Sequence, residues 1–343
     1  MSVRSIALDL RVGGLGDNWM RLVGFYVAAG LRPNFRLRLV LPANLVQVAR
    51  HAFSDRLDIY DKEQTGAVVY TVLGLRDLIL PVLLGKRFAS PYGRVVIHDF
   101  NRYNIKDRLN MFALTICDRA NVVSSPPWFS LNHYQGYSEV ITIPALRDIA
   151  PDEFNARLIG DYDKIWRRLQ DAPRSPEFRL PCGLERRSVV FPSGTGRQFV
   201  PLMWARTHLP DAVYAFFYKD PDMERWQKAG LEVAAFYKEP GDMLALAMVA
   251  KATASTDSFP SHFLQYCAPR FVVMLTELPR HRVVSPAFRG QVIPSLAPCH
   301  PCPHWERKRF PRCKAGYPAC LNWESPQYVG MIETALVTAD SAA

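Results

Sequence analysis

The most specific chemical signal in the sequence is a cluster of cysteines near its C-terminal end. Four of the seven cysteines lie in one short segment that opens with a C-x-x-C spacing: Cys299, Cys302, Cys313 and Cys320. Four thiolates suit a tetrahedral site for Zn²⁺ or iron, and they leave no open coordination position. We therefore expect a structural metal ion here. A pair of disulfides is the competing interpretation, and the absence of a secretion-signal pattern favours thiols.

A glycine-rich turn follows the first apolar run and ends in a carboxylate. The turn, 13–17, has neither the spacing of a dinucleotide-binding loop nor the Lys-Ser/Thr pair of a phosphate-binding P-loop. Its glycines, Gly16 among them, allow a ligand to approach the backbone closely. Asp17 would then present a carboxylate at the edge of a binding cleft. The alternative is that Asp17 only caps a helix beginning at Asn18.

Two later loops could bind an anion. The loop 193–197 combines the small polar residues Ser193 and Thr195 with Arg197. A guanidinium can donate two parallel hydrogen bonds to a diphosphate. An exposed turn with a solvated arginine is the alternative.

The second such loop, 256–262, precedes a predicted helix. Backbone N–H groups at a helix start favour anions, and Ser258, Ser261 and His262 could add hydrogen-bond donors. Alternatively, Asp257 and Ser258 are capping residues and His262 is a surface histidine. Neither loop is decisive alone.

Short apolar runs alternate with amphipathic stretches along the chain, as is typical of parallel sheets covered by helices. In the first half the predicted strands are Ser5–Val12, Leu37–Leu41, Arg94–Asp99, Asn121–Ser124 and Glu139–Ile143, with a helix at Asn18–Ala29. In the second half the predicted strands are Ser188–Phe191, Ala212–Tyr218, Leu231–Phe236 and Arg270–Leu275. The predicted helices there are Pro201–His208, Asp222–Ala229, Asp242–Ala252 and Ser261–Ala268.

A segment rich in proline and arginine, 171–187, interrupts this alternation and is predicted to be a linker. The chain of 343 residues then divides into two Rossmann-like α/β domains facing across a cleft. Their predicted bounds are 1–170 and 188–298, followed by a metal-binding segment at 299–323 and a C-terminal helix and tail at 324–343. Ligands of such sheets bind beyond the carboxyl ends of the strands.

The overall charge is positive, with a formal net charge of +10 and a pI near 9.3. Such a chain attracts nucleotides, acidic glycans, nucleic acid or an anionic membrane face. The first residues lack the order of a signal peptide, and the longest apolar stretch, Val68–Leu84, is broken by charges. These features predict a cytoplasmic protein, with peripheral contact at the inner face of the plasma membrane left open. A nucleic-acid-binding protein with a zinc module is the alternative of another class, although basic and aromatic residues are not interleaved.

In their order, these loops resemble the bacterial ADP-heptose:lipopolysaccharide heptosyltransferase family. Members begin with a strand and a Gly-Asp turn, matched by Gly16-Asp17, and carry a phosphate-binding Lys seven residues before a Trp. Here Arg197 replaces that Lys and precedes Trp204. Asp222 corresponds to an acidic residue that contacts the nucleoside. The segment 257–262 matches a D-T/S-G-x-x-H donor motif, with Phe259 in place of its glycine.

The resemblance implies a GT-B glycosyltransferase whose first domain binds the acceptor and whose second binds the nucleotide sugar. Asp17 would be the base of an inverting transfer, and no catalytic divalent metal is expected. ADP-heptose is the leading donor, and a glycan, a lipid-linked sugar or a protein the acceptor, with an oligomer left open. In one branch of the family, which glycosylates autotransporter proteins, the four cysteines bind iron.

The resemblance implies donor contacts from Gly16, Ser193, Thr195, Arg197, Asp222, Asp257, Ser258, Ser261 and His262. A sugar-nucleotide epimerase and a natural-product or protein glycosyltransferase of the same fold are the alternatives.

Overall fold

The computed structural model describes most of the chain. The described residues are 4–9, 14–60, 94–98, 121–124, 132–143, 146–192, 199–236, 239–268, 270–276, 278–301 and 323–338. The chain forms two compact units: unit 1 consists of Met1–Pro126 and Gly136–Arg157, and unit 2 of Pro127–Gln135 and Leu158–Ala343. The last point at which the chain passes from unit 1 to unit 2 is 157/158, earlier in the chain than the linker predicted at 171–187.

Unit 1 is built on a five-stranded parallel sheet with the strand order β3-β2-β1-β4-β5. Its strands are β1 (Arg4–Asp9), β2 (Phe35–Val40), β3 (Leu57–Tyr60), β4 (Arg94–His98) and β5 (Asn121–Ser124). Its described helices include α1 (Leu15–Leu31) and α2 (Ala43–Phe53). Two further helices, α3 (Gln135–Val140) and α4 (Pro151–Gln170), contain two of the three points at which the chain passes between the units.

The apolar face of α1 is buried in unit 1. Trp19 and Tyr26 both pack against Phe53 of α2, with ring centroids 5.6 and 4.9 Å apart. Gly24 lies so close to α3 that a Cβ there would meet the carbonyl oxygen of Gly136 at 2.3 Å. These contacts fix α1, and therefore the turn that begins it, on the sheet.

Unit 2 is built on a six-stranded parallel sheet with the order β11-β10-β9-β6-β7-β8. Its strands are β6 (Ser188–Phe191), β7 (Val213–Phe217), β8 (Glu232–Phe236), β9 (Ala252–Thr256), β10 (Phe271–Met274) and β11 (Gln291–Ile293). Its helices are α5 (Leu202–His208), α6 (Asp222–Lys228), α7 (Pro240–Val249), α8 (Phe259–Leu264), α9 (Arg280–Val283) and α10 (Pro326–Thr338). Among the described residues of both units, no helix has the length and apolar composition needed to cross a membrane.

Each sheet has one switch point, a place where the chain reverses the direction in which it adds strands. In unit 1 the switch point lies between β1 and β4, and in unit 2 between β6 and β9. Ligands of doubly wound sheets bind beyond the carboxyl ends of the strands at such a point. The turn leading to Asp17 follows β1, whereas the loops 193–197 and 257–262 follow β6 and β9. Asp17 and the segment 257–262 therefore follow strands at the switch points of the two sheets.

Two predicted elements were wrong. The run Glu139–Ile143, predicted to be a strand from its β-branched residues, contains the end of helix α3 and a turn. The helix places Glu139 against the buried Arg21, and this tertiary pairing outweighs local strand propensity.

The second error concerns the predicted helix Asp242–Ala252. Helix α7 ends at Val249, and Ala252 begins the strand β9, which the sequence did not reveal. This strand consists of small residues because helices cover it: Ala252 and Ala254 share a core with Ile332 of α10.

The predicted linker is held firmly by unit 2. The backbone N–H and the hydroxyl of Ser175 donate to the two carboxylate oxygens of the buried Asp242, at 2.7 and 2.5 Å. Gly241 approaches the same segment so closely that a Cβ would meet the carbonyl oxygen of Pro173 at 2.0 Å. Leu184, within a 3₁₀ turn, is fully buried. These contacts attach the segment 171–187 to unit 2.

Candidate functional site

Asp17 lies in the first turn of α1. The helix begins at Leu15, three residues earlier than predicted, so Asp17 occupies its third position. The N–H of Gly14 donates to Asp17 Oδ2 at 3.1 Å, which closes the helix start. Asp17 therefore caps this helix from its third position, and it is not the cap of a helix beginning at Asn18. The side chain of Asp17 is half-buried.

A buried polar group supports this end of α1. Arg21 pairs with Glu139 of α3, and both side chains are 1% exposed. Arg21 Nη1 also donates to Asn18 Oδ1 at 3.1 Å. Removing one partner of a buried ion pair of this kind strongly destabilises the folded protein, because the other charge is left buried without a partner. It therefore fixes the rotation of the helix that carries Asp17.

Asp257 is fully buried at the end of β9 and serves as a clamp between two loops. Its carboxylate accepts the hydroxyl of Thr276, the N–H of Thr276 at 3.2 Å and the N–H of Leu278 at 3.2 Å. Burial raises the pKa of Asp257, while these hydrogen bonds oppose the rise. Because both oxygens are engaged within the protein, Asp257 shapes the loop and is not placed to touch a donor directly.

The start of α8 offers few backbone donors. The three first positions of the helix are Phe259, Pro260 and Ser261, and proline has no N–H. Ser258 lies at the N-cap position without a capping hydrogen bond from its side chain, and the hydroxyl of Ser261 donates to the carbonyl of Ser258 at 2.8 Å. Both serines are buried. An anion at this turn would therefore depend on side chains from other loops.

His262 is buried on α8, and its Nδ1 has no hydrogen-bond partner. Burial lowers the pKa of His262 to about 4; the nearby Arg282 contributes in the same direction, and the carbonyl of Val283 opposes it. The imidazole is therefore neutral at pH 7. It can contribute a hydrogen bond to a ligand, but not the positive charge that a leaving diphosphate would attract.

Aromatic rings line the carboxyl ends of β7 and β8. Phe259 is nearly parallel to Phe217, with centroids 6.2 Å apart and an interplanar angle of 18°. Phe217 in turn contacts Phe236 at 4.4 Å, and Phe236 contacts Phe191 at 5.5 Å. The residue that departs from the family motif, Phe259, is thus built into an aromatic cluster.

Asp222 lies at the first position of α6 with its side chain 55% exposed, 3.8 Å from Arg225. Its backbone N–H donates to Asp220 Oδ1 at 2.9 Å. Asp220-Pro221-Asp222 is one of two Asp-x-Asp triplets in the sequence. In the other, Asp161-Tyr162-Asp163, the carboxylate of Asp163 pairs with Arg289 at 2.9 Å. Among the described residues, no group of three or more His, Cys, Asp or Glu side chains could hold a metal ion.

Several predicted site residues lie outside the described residues. These are Ser193, Thr195, Arg197, Cys302, Cys313 and Cys320. Cys299 is described: its thiol is exposed in a turn, and its neighbour His300 directs Nε2 to the carbonyl of Leu278 at 2.9 Å. Gly16, the remaining predicted residue, is buried within α1.

The sequence did not reveal Arg21, Glu139, Phe217 or Arg282 as parts of these regions. Arg21 carried a signal, since it falls on the apolar face of α1, where a charge requires a buried partner. Arg282 is likewise buried, and one of its nitrogens lies 3.5 Å from Gln135 Oε1. Their partners are far away in the sequence, so the pairings could not be read from it.

No family model matches the chain, and no curated protein matches its sequence. Solved structures do resemble it. The crystal structure of a glycosyl transferase family 9 protein from Veillonella parvula has 13% identity and a TM-score of 0.57, with 98% of each chain covered. The E. coli ADP-heptose LPS heptosyltransferase II has 13% identity and a TM-score of 0.47, covering 98% of this chain and 99% of that one.

The similarity to the Veillonella structure confirms the predicted fold class. The chain has the α/β GT-B fold of family 9 glycosyltransferases, with two parallel sheets in the described residues. At this level of identity the similarity establishes the fold, and function must be argued from the sites.

Proposed function

We propose that the protein is an inverting glycosyltransferase that uses a sugar linked to a nucleoside diphosphate, with ADP-heptose as the leading donor. The observation that carries the proposal is the end-to-end likeness to a family 9 glycosyltransferase, 98% of each chain. The placement of Asp17 and of the loop 257–262 beyond strands at the two switch points supports it.

In the proposed reaction, Asp17 accepts the proton of an acceptor hydroxyl as that oxygen attacks the anomeric carbon of the donor sugar. The bond from this carbon to the diphosphate breaks, and the nucleoside diphosphate leaves with the bonding electrons. Attack from the opposite face inverts the configuration at the carbon. Asp17 is suited to this role because its side chain is half-buried in the first turn of α1, and the Arg21–Glu139 pair holds that helix.

Unit 2 would bind the donor. Arg197 supplies the cation for the diphosphate, and His262, being neutral, supplies a hydrogen bond. Ser258 and Ser261 line the same turn, and the exposed Asp222 would contact the nucleoside, as the family resemblance implies. Asp257 contributes by holding the turn in shape. A glycan, a lipid-linked sugar or a protein would be the acceptor, and the reaction would take place in the cytoplasm.

The test is a binding titration of the purified protein with ADP, UDP, GDP and dTDP, without added divalent metal. We expect selective binding of one diphosphate, ADP first among them. Arg197→Gln should weaken this binding by about 10- to 100-fold, because a charge-assisted hydrogen bond pair is lost. Arg206→Gln, which removes an exposed cation from α5, is the matched control and should bind like the unmodified protein. Failure to bind any of the four would contradict the proposal.

We also propose a structural Zn²⁺ or iron ion held by Cys299, Cys302, Cys313 and Cys320. The thiol of Cys299 is exposed at the entry to this segment, whereas the thiol of Cys267 is buried and donates to the carbonyl of Phe263. Purified protein should contain about one metal ion per chain, measured by elemental mass spectrometry. Cys302→Ser should lose it, and Cys182→Ser, an exposed cysteine outside the cluster, should retain it. Equal metal content in both variants would contradict the site.

A further inference from the structure

Two half-buried phenylalanine rings lie side by side at the carboxyl edge of the unit 2 sheet. Phe217 ends β7 and Phe259 begins α8, directly after β9. Because β6 lies between β7 and β9, the ring pair spans the end of β6, next to the switch point. Both side chains are partly exposed, whereas the ring behind them, Phe236, is 2% exposed. The ring pair is therefore partly exposed at the edge of the sheet where ligands of doubly wound sheets bind.

The turn after β7 adds a second, independent feature. Lys219 has φ 65°, a left-handed conformation that non-glycine residues adopt at a cost. It follows Tyr218, whose ring is 47% exposed and lies 5.2 Å from the Lys219 ammonium. The N–H of Tyr218 donates to the carbonyl of Phe236 at 2.7 Å, which ties the turn to β8. The backbone thus holds an exposed aromatic ring and a cation beside the phenylalanine pair.

Phe259 also changes what the start of α8 can bind. A glycine at this position would leave the backbone open to a phosphate, whereas here a ring covers it and Pro260 removes one N–H donor. The same substitution supplies a flat π surface. Planar heterocycles stack on such rings with little dependence on which base is presented, because every base has a π face.

We infer that Phe217 and Phe259 form a stacking surface for the nucleobase of the donor. At position 259 a glycine would have allowed backbone contacts to the phosphate, whereas the phenylalanine ring contributes base stacking. The inference rests on the proposed function and adds the residues that recognise the nucleotide. Tyr218 borders the surface and Lys219 supplies a cation next to it.

The experiment compares two probes, ADP and ribose 5-diphosphate, which lacks the base. Isothermal titration of the unmodified protein should give at least about fivefold tighter binding of ADP. Phe259→Leu should reduce this ratio towards one by weakening ADP binding, with ribose 5-diphosphate unaffected. Phe259→Trp should retain the ratio, since it keeps the aromatic face.

Phe288→Leu is the matched control. Phe288 is another half-buried phenylalanine of unit 2, and it packs on Phe271 at the first residue of β10, at the opposite edge of the sheet. This variant should retain the ratio of the unmodified protein, and thermal melting should show each variant to be folded. If the unmodified protein binds both probes equally, or if Phe259→Leu retains the full ratio, the stacking surface is refuted while the proposed function stands. If neither probe nor any other nucleoside diphosphate binds, the proposed function itself fails.

Discussion

Asp17 and Asp257 each follow a strand at a switch point, one in each unit, and the two carboxylates have different surroundings. Asp17 is half-buried on a long helix and accepts the N–H of Gly14. Asp257 is fully buried and accepts three hydrogen bonds from the residues that follow β10. The comparison teaches that a strand–turn–Asp pattern specifies where a carboxylate lies, whereas burial decides whether it can do chemistry or only hold a loop.

The largest expected effect is on turnover and concerns Asp17. Asp17→Asn should keep the hydrogen bond from Gly14, because the amide oxygen can accept it, but it removes the proposed base. We expect turnover to fall by about 10²- to 10⁴-fold with little change in donor affinity or in the free energy of unfolding. A sugar-transfer assay with the identified donor measures this.

Asp152→Asn is the control for that variant, since Asp152 lies in the first turn of another long helix, α4. It should leave turnover intact. Full activity of Asp17→Asn would show that Asp17 is not the base of the reaction. The proposed difference in role between Asp17 and Asp257 would then not hold.

The next effect is on stability and concerns Asp257. Asp257→Ala leaves the N–H groups of Thr276 and Leu278 without their buried acceptor, so we expect the free energy of unfolding to fall by about 2–5 kcal/mol. Urea unfolding monitored by circular dichroism measures this. Asp222→Ala, at a 55% exposed carboxylate, should change stability by less than about 0.5 kcal/mol. Equal stability of the two variants would show that the clamp contributes nothing.

The smallest effect is on the pH dependence of stability and concerns His262. Its pKa is lowered from 6.5 to about 4 in the folded protein, so the unfolded chain binds more protons between these values. Stability should therefore decrease as the pH falls from about 6.5 to 4, by at most roughly 3 kcal/mol. His262→Gln should remove this part of the dependence, whereas His281→Gln, at an exposed position, should retain it. Unfolding curves across this pH range measure the effect. If His262→Gln showed the same dependence of the unfolding free energy on pH as the unmodified protein, the histidine would not be buried and neutral.

The fold was predictable from the sequence because its signals are local. Alternating apolar runs predicted β5 and β6 with the observed bounds, Asn121–Ser124 and Ser188–Phe191. The same reasoning failed where tertiary packing chose the element. The small residues of β9 carry no strong strand propensity, and they form a central strand because β10 and β6 pair with it on either side.

The sequence by itself determined the succession of two α/β units, the glycine turn before Asp17 and the cysteine spacing, since each depends on neighbouring residues. Only the tertiary structure decided the roles of the charged side chains. Arg21 and Glu139 are 118 residues apart, and Asp257 lies 19 residues before Thr276, so their pairings exist only in the folded chain. Whether a carboxylate or an imidazole is solvated, paired or neutral depends on the surfaces packed around it, because burial and hydrogen bonding set the free energy of its charged form.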